Sequence, residues 1–143
     1  MLQSLRIILL ALWVGAMAAF AFIFAPIAFQ HEGPTPAFAA TIAACVRWIV
    51  AAGNWIAFLT MLITWRGGLE TTPRREFINL LLALAICAGG YEVYAIVPRM
   101  EVTPLLTPAY EALHRESSAV YGAAFLAAAI ALVLTARSGY RST

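Results

Sequence analysis

The chain has no lysine and no aspartate. All nine basic residues are arginine and all seven acidic residues are glutamate. The lack of lysine excludes Schiff-base chemistry and a lysine-based phosphate loop. Charged residues make up only 11% of the chain, against about 25% in a soluble globular domain. A net charge of +2 is too small to point to a nucleic-acid partner. The two cysteines, Cys45 and Cys87, form no Cys-x-x-Cys pair, which excludes thioredoxin-like and zinc-ribbon readings. Both fall in apolar stretches, where cysteine packs as a small apolar side chain.

What is present in abundance is apolar. Hydrophobic residues make up 63% of the chain and mean hydropathy is +0.85. Four stretches, Leu5–Phe29, Phe38–Trp65, Phe77–Val97 and Ser117–Ala136, are each long enough to cross a bilayer. A crossing takes about 20 residues at the helical rise of about 1.5 Å. The implied fold is all-α: an integral membrane four-helix bundle in a single membrane domain over residues 1–143. Its helices are expected at 5–29, 38–65, 77–97 and 108–136. Short connections imply antiparallel neighbours. The first stretch begins like a signal peptide, with Arg6 ahead of it and Ala16-Met17-Ala18 resembling a cleavage site. Its apolar run is longer than an h-region of about 7–15 residues, so it reads as an uncleaved first helix.

Arg6, Arg66, Arg74, Arg75, Arg137 and Arg141 flank one set of helix ends. On the opposite side, the first loop, Gln30–Ala37, has no arginine. The connection between helices 3 and 4 has Arg99 and Arg115, offset by Glu101, Glu111 and Glu116. The positive-inside rule then places both termini and the Gly67–Glu76 loop in the cytoplasm, with the chain multi-pass in a bacterial inner membrane. The Gly67-Gly68 pair is expected to end helix 2, Pro73 to open helix 3, and Thr107-Pro108 to cap and open helix 4. Pro98 reads as the start of the second outer loop. No sequence repeat stands out. Helix 4 is rich in alanine and glycine, which lets helices approach closely, either within the bundle or against a partner.

The polar groups in or near lipid carry the functional expectations. Arg47 and Glu92 lie inside predicted spans, and intramembrane charges usually pair, so these two are expected to pair. The pair is either a structural lock on helix register or part of a ligand site. Helical spacing puts Tyr110, Glu111, His114, Ser117, Ser118 and Tyr121 on one stripe, expected to face helices 2 and 3. An outer cluster of His31, Glu92, Arg99, Glu111 and His114 follows. His31 and His114 are the only histidines and thus the metal candidates, but no HExxH motif or helical His pair supports one. Asn54 and Asn79 read as interhelical hydrogen-bonding residues.

Three local patterns resemble a known family. Leu12-Trp13-Val14-Gly15 with Phe20 to Pro26 and Phe29 is the first. Val97-Pro98-Arg99-Met100 is the second, and Tyr110 to Ser117 is the third. Together, in this order, they are similar to the transmembrane protein 205-like family, four-helix membrane domains of unknown function. The matching positions are Trp13, Gly15, Pro26, Pro98, Met100, His114 and Ser117. The resemblance implies the architecture and no particular reaction.

The expected function is therefore non-catalytic and cofactor-free, with two forms. The chain is an accessory subunit of a larger membrane complex or a homo-oligomer, or it binds a small ligand through Arg47, Glu92, Arg99 and His114. The alternatives are a haem- or metal-binding redox protein using the outer histidines, and an oligomeric transporter.

Overall fold

The computed structural model describes residues 2–66 and 73–139. The expected Gly67-Gly68 stop and Arg141 lie outside the described residues. Among the described residues there is no strand. Six α-helices follow one another: α1 (Leu2–Ala19), α2 (Ala25–Glu32), α3 (Pro36–Arg66), α4 (Pro73–Tyr91), α5 (Val97–Val102) and α6 (Pro108–Gly139). π-helical turns at Phe20–Phe24 and Glu92–Ile96 join α1 to α2 and α4 to α5. This leaves four continuous helices long and apolar enough to cross a membrane: Leu2–Glu32, Pro36–Trp65, Pro73–Val102 and Pro108–Arg137. We call them spans 1 to 4. The chain is a helical multi-pass membrane protein.

Span 3 does not stop before Pro98. Proline lacks an N–H and its ring clashes with the carbonyl one turn back. Here the turn ahead of it widens instead. The Val97 N–H donates to the Glu92 carbonyl, five residues back, and the helix resumes to Val102. Span 1 does the same at Pro26, with the Ala25 N–H donating to the Phe20 carbonyl. A π-turn thus absorbs each proline without breaking the span.

These two π-turns belong to a repeat that the sequence reading missed. Pro26 and Pro98, Phe20 and Glu92, and the caps Thr35 and Thr107 are all separated by the same interval, about half the chain. The caps match in detail. Thr35 Oγ1 accepts from the Phe38 N–H at 3.1 Å, and Thr107 Oγ1 from the Tyr110 N–H at 3.2 Å. Pro36 and Pro108 then occupy the first helical position in each case. Burial repeats as well: Leu10, Trp13, Met17 and Phe20 match Leu82, Ala85, Gly89 and Glu92. In spans 2 and 4 the interval is one residue shorter, and Gly53, Ala57, Thr60 and Thr64 match Ala124, Ala128, Ala131 and Thr135. Thr64 and Thr135 each donate to a carbonyl four residues back, at 2.7 Å. The chain repeats one pattern of two linked spans, and we call each linked pair a hairpin.

Each span packs on both spans of the other parity. Spans 1 and 3 both contact spans 2 and 4, and among the described residues the diagonal pairs make no comparable contact. In lipid there is no hydrophobic drive between helices, so close van der Waals fit must hold them. Small residues provide it. Ala85 on α4 and Ala124, Ala128 and Ala131 on α6 are buried with Leu10, Met17 and Leu82. The alanine-rich face of α6 is thereby used inside the bundle. Trp13 lies on the backbone of Gly53, where any Cβ would overlap its indole ring. Gly89 admits Val50 of α3, whose Cγ1 would stand 2.7 Å from an added Cβ.

The two ends of the bundle are tied differently. At one end, Gln3 donates to the Thr135 carbonyl at 3.0 Å and Arg74 to the Leu134 carbonyl at 2.8 Å. Arg75 donates to the Thr64 carbonyl. These side chains tie the N-terminal turns of α1 and α4 to carbonyls near the ends of α3 and α6. The other end holds the two short turns, around Gly33 and Thr103–Thr107, and we call it the turn end. Gly33 adopts φ 65°, open to glycine without steric cost, while Leu106 adopts φ 63° on an exposed loop.

Candidate functional site

The polar groups of interest gather at the turn end in three tiers. Outermost, Arg47 from α3 donates to Glu101 Oε2 of α5 at 2.8 Å. The expected partner was Glu92, so the pairing is corrected. Because span 3 continues past Pro98, α5 carries Glu101 to the end of the bundle, where the long arginine side chain meets it. Both side chains are 41% exposed. The pair joins α5 to α3 on the outside of the bundle.

The second tier links spans 3 and 4. Tyr91 donates to Glu116 Oε1 at 2.6 Å, and Arg99 Nη1 lies 3.8 Å from Glu116 Oε2. Beside Arg99 and Glu116 is a cleft of about 390 Å³ between α5 and α6, lined also by Val102, Thr103, Ala112 and Leu113. The loose Arg99–Glu116 spacing leaves guanidinium N–H groups and a carboxylate oxygen facing one small volume. Arg99 was among the sequence candidates. Glu116 was not, although it lies three residues from Leu113, a spacing that shares one side of a helix.

The third tier is Glu92, buried inside the bundle at 1% exposure. Ser117 donates to its Oε1, and its Oε2 has no hydrogen-bond partner among the described residues. Phe20, Val46, Val50 and Val97 form an apolar cluster on this side of the bundle, and Tyr121 packs on it. Tyr121 donates to the Met17 carbonyl at 3.3 Å and stacks obliquely on Phe20 at 6.0 Å. Asn54 reaches Gly89 across spans 2 and 3, and its Oδ1 is also buried without a partner. Asn79 shares that state at the opposite end.

His114 is not in this site. It is exposed, and only its carbonyl is engaged, by Ser118 Oγ at 2.8 Å. The inward face of α6 runs through Leu113, Ser117, Tyr121 and Ala124, which turns His114 outward by one residue step. The expected stripe centred on His114 is corrected accordingly. His31 is exposed at the end of α2, beside Glu32, on a separate apolar groove of about 700 Å³ between span 1 and α3. Glu111 is exposed too. The expected cluster of His31, Glu92, Arg99, Glu111 and His114 therefore does not assemble. Among the described residues, no group of three or more His, Cys, Asp or Glu side chains is arranged to hold a metal ion.

The four apolar spans define a polytopic helical membrane protein with a group of charged and polar side chains at its turn end. Residues 8–103 match a domain of unknown function, DUF4149, and the chain belongs to that family. The match covers the first two spans from residue 8 onward and all of span 3, including both π-turns and Glu92. No curated protein and no solved structure matches the chain.

Proposed function

We propose that the chain is a non-catalytic membrane protein that binds a small ligand at the turn end of its bundle. The observation that carries this reading is the Arg99–Glu116 cleft. A guanidinium offers a planar donor set to an anionic group, and Glu116 offers an acceptor to a ligand donor. Arg47 stands outside the cleft in its pair with Glu101, Glu92 lies buried at Ser117, and His114 takes no part. Native mass spectrometry of gently solubilised protein tests the proposal. Wild-type protein should retain a bound mass that the folded Arg99→Gln variant loses. Identical spectra for the two would sink the ligand reading.

A second reading, an accessory subunit of a larger complex or a homo-oligomer, draws on Trp48 and Trp55. Both lie well inside span 2 and are 78% and 68% exposed, whereas tryptophan in membrane proteins favours the interfaces. A haem- or metal-linked redox protein and an oligomeric transporter are the remaining alternatives. An absorption spectrum of the purified protein separates the haem reading from the rest.

We further propose an antiparallel bundle in a bacterial inner membrane, with both termini cytoplasmic. Arg6, Arg74, Arg75 and Arg137 support this orientation, since all lie at the end opposite the turns. A single cysteine at Thr35, in a cysteine-free background, should react with an impermeant reagent from outside intact cells. Reaction only after permeabilisation would reverse the orientation. The patterns around Trp13, Pro98 and His114 support a finer kinship to transmembrane protein 205-like proteins.

A further inference from the structure

Glu92 has no role in the cleft, and the fold does not require a carboxyl group there. In the first hairpin the equivalent position is Phe20, equally within the core and also at the start of a π-turn. An acid has been accommodated where a phenyl ring serves the same packing. By helical rise, Glu92 stands about 15 Å from the end of span 3, inside the membrane.

The charges around Glu92 do not compensate it. From α3, Arg47 is committed to Glu101. From α5, Arg99 points to Glu116. From α6, the titratable neighbours are Glu116, which adds like charge, and Tyr121, whose hydroxyl donates to the Met17 carbonyl. From α4, Tyr91 donates to Glu116. No ion pair reaches Glu92 among the described residues. A carboxylate without a counter-ion in the membrane interior is strongly disfavoured, whereas a protonated acid is tolerated.

The hydrogen-bond inventory points the same way. Glu92 Oε2 and Asn54 Oδ1 are both acceptors, both buried and both unpartnered. Asn54 Oδ1 lies against Gly89, 3.1 Å from where a Cβ would stand, and Gly89 is one turn before Glu92 on the same face of span 3. Protonation gives Glu92 a hydrogen of its own to donate and removes the uncompensated charge, although the unpartnered groups of the interior also include donors, Trp13 Nε1 and Thr60 Oγ1. The single donor that does reach Glu92, the Ser117 hydroxyl, comes from span 4 and bridges the two helices of the second hairpin.

We propose that Glu92 is a proton-binding site in the membrane interior, its carboxylic acid taking up and releasing a proton at the Ser117 contact between spans 3 and 4. The proton comes from water and returns to it, with no other bond made or broken. Release would leave a bare carboxylate at this contact, so the protonation state of Glu92 and the closeness of spans 3 and 4 are linked.

Infrared spectroscopy of the full chain in lipid vesicles tests the proposal. Wild-type protein at neutral pH should show a carbonyl band of a protonated carboxylic acid that Glu92→Gln lacks. Ser117→Ala should keep this band but move it to higher frequency, because the acid loses a hydrogen bond. This second variant decides the matter if Glu92→Gln does not fold. Absence of a protonated-acid band in wild type, or a band untouched by both substitutions, would overturn the proposal. Loss of the band on adding sodium chloride at constant pH would also overturn it, by showing a sodium site in place of a proton site.

Discussion

Replacing Gly53 by alanine should lower the thermal transition of the purified protein markedly, and replacing it by leucine should abolish the folded state. The two hairpin partners in the first half, α1 and α3, meet where the Trp13 indole rests on the Gly53 backbone. Trp13 is only 4% exposed, so it has no free volume to retreat into. Overpacking of a tight site costs about 1–3 kcal/mol per small insertion and more when neighbours are locked. Gly15 and Gly122 provide the control, because a Cβ at either meets nothing within 4 Å. Alanine there should preserve or slightly raise stability, by up to about 1 kcal/mol, through its better helix propensity. Reducing Trp13 to leucine alongside Gly53→Ala should recover much of the loss. Circular dichroism melts in one detergent check all of these. Equal stability of Gly53→Ala and Gly15→Ala would show that the Trp13 contact does not hold the hairpin.

Ala128→Leu should be nearly as damaging, and Ala123→Leu should be tolerated. Ala128 is 0% exposed in the main packed cluster, with Ala124 and Ala131 one turn on either side. Ala123 is on the exposed side of the same helix. An added isobutyl group at Ala128 forces α6 away from its neighbours and forfeits the close packing that binds helices in lipid, at about 1–3 kcal/mol or more. At Ala123 the same group faces hydrocarbon, which accepts it. Thermal stability of the two variants in one lipid mixture checks the contrast. A large loss of stability or of assembly size for Ala123→Leu would instead show that the outer alanines dock another chain.

The membrane class and the four spans were legible because lipid imposes long uninterrupted apolar runs, and only helices satisfy the backbone there. The start of α6 was legible too, since Thr107-Pro108 combines a capping hydroxyl with a proline at the first helical position. Pro98 misled for a specific reason. Local rules end a helix near a proline, and they do not foresee a π-turn that absorbs it. That one misreading removed α5, and with it Glu101, so Arg47 was matched to the wrong glutamate. His114 was misplaced by a smaller error. Positions 114, 117, 118 and 121 do lie on one broad side of a helix, but Leu113 is buried and Ser117 meets Glu92 of span 3, whereas His114 is exposed. The repeat was present in the letters as Thr35-Pro36-Ala37-Phe38 and Thr107-Pro108-Ala109-Tyr110. It escaped notice because the spans between these anchors share a burial rhythm and few identical residues.

The likeness of the two hairpins bears on stoichiometry. A pair of identical hairpins would set every interior group opposite a copy of itself, two acids or none. Joined in one chain, the halves are free to differ at matched places, as they do at Phe20 and Glu92. Among the described residues the buried interior then holds one acid, on the side of spans 3 and 4. Whatever meets that acid meets it once, from a defined direction, without a competing twin across the bundle.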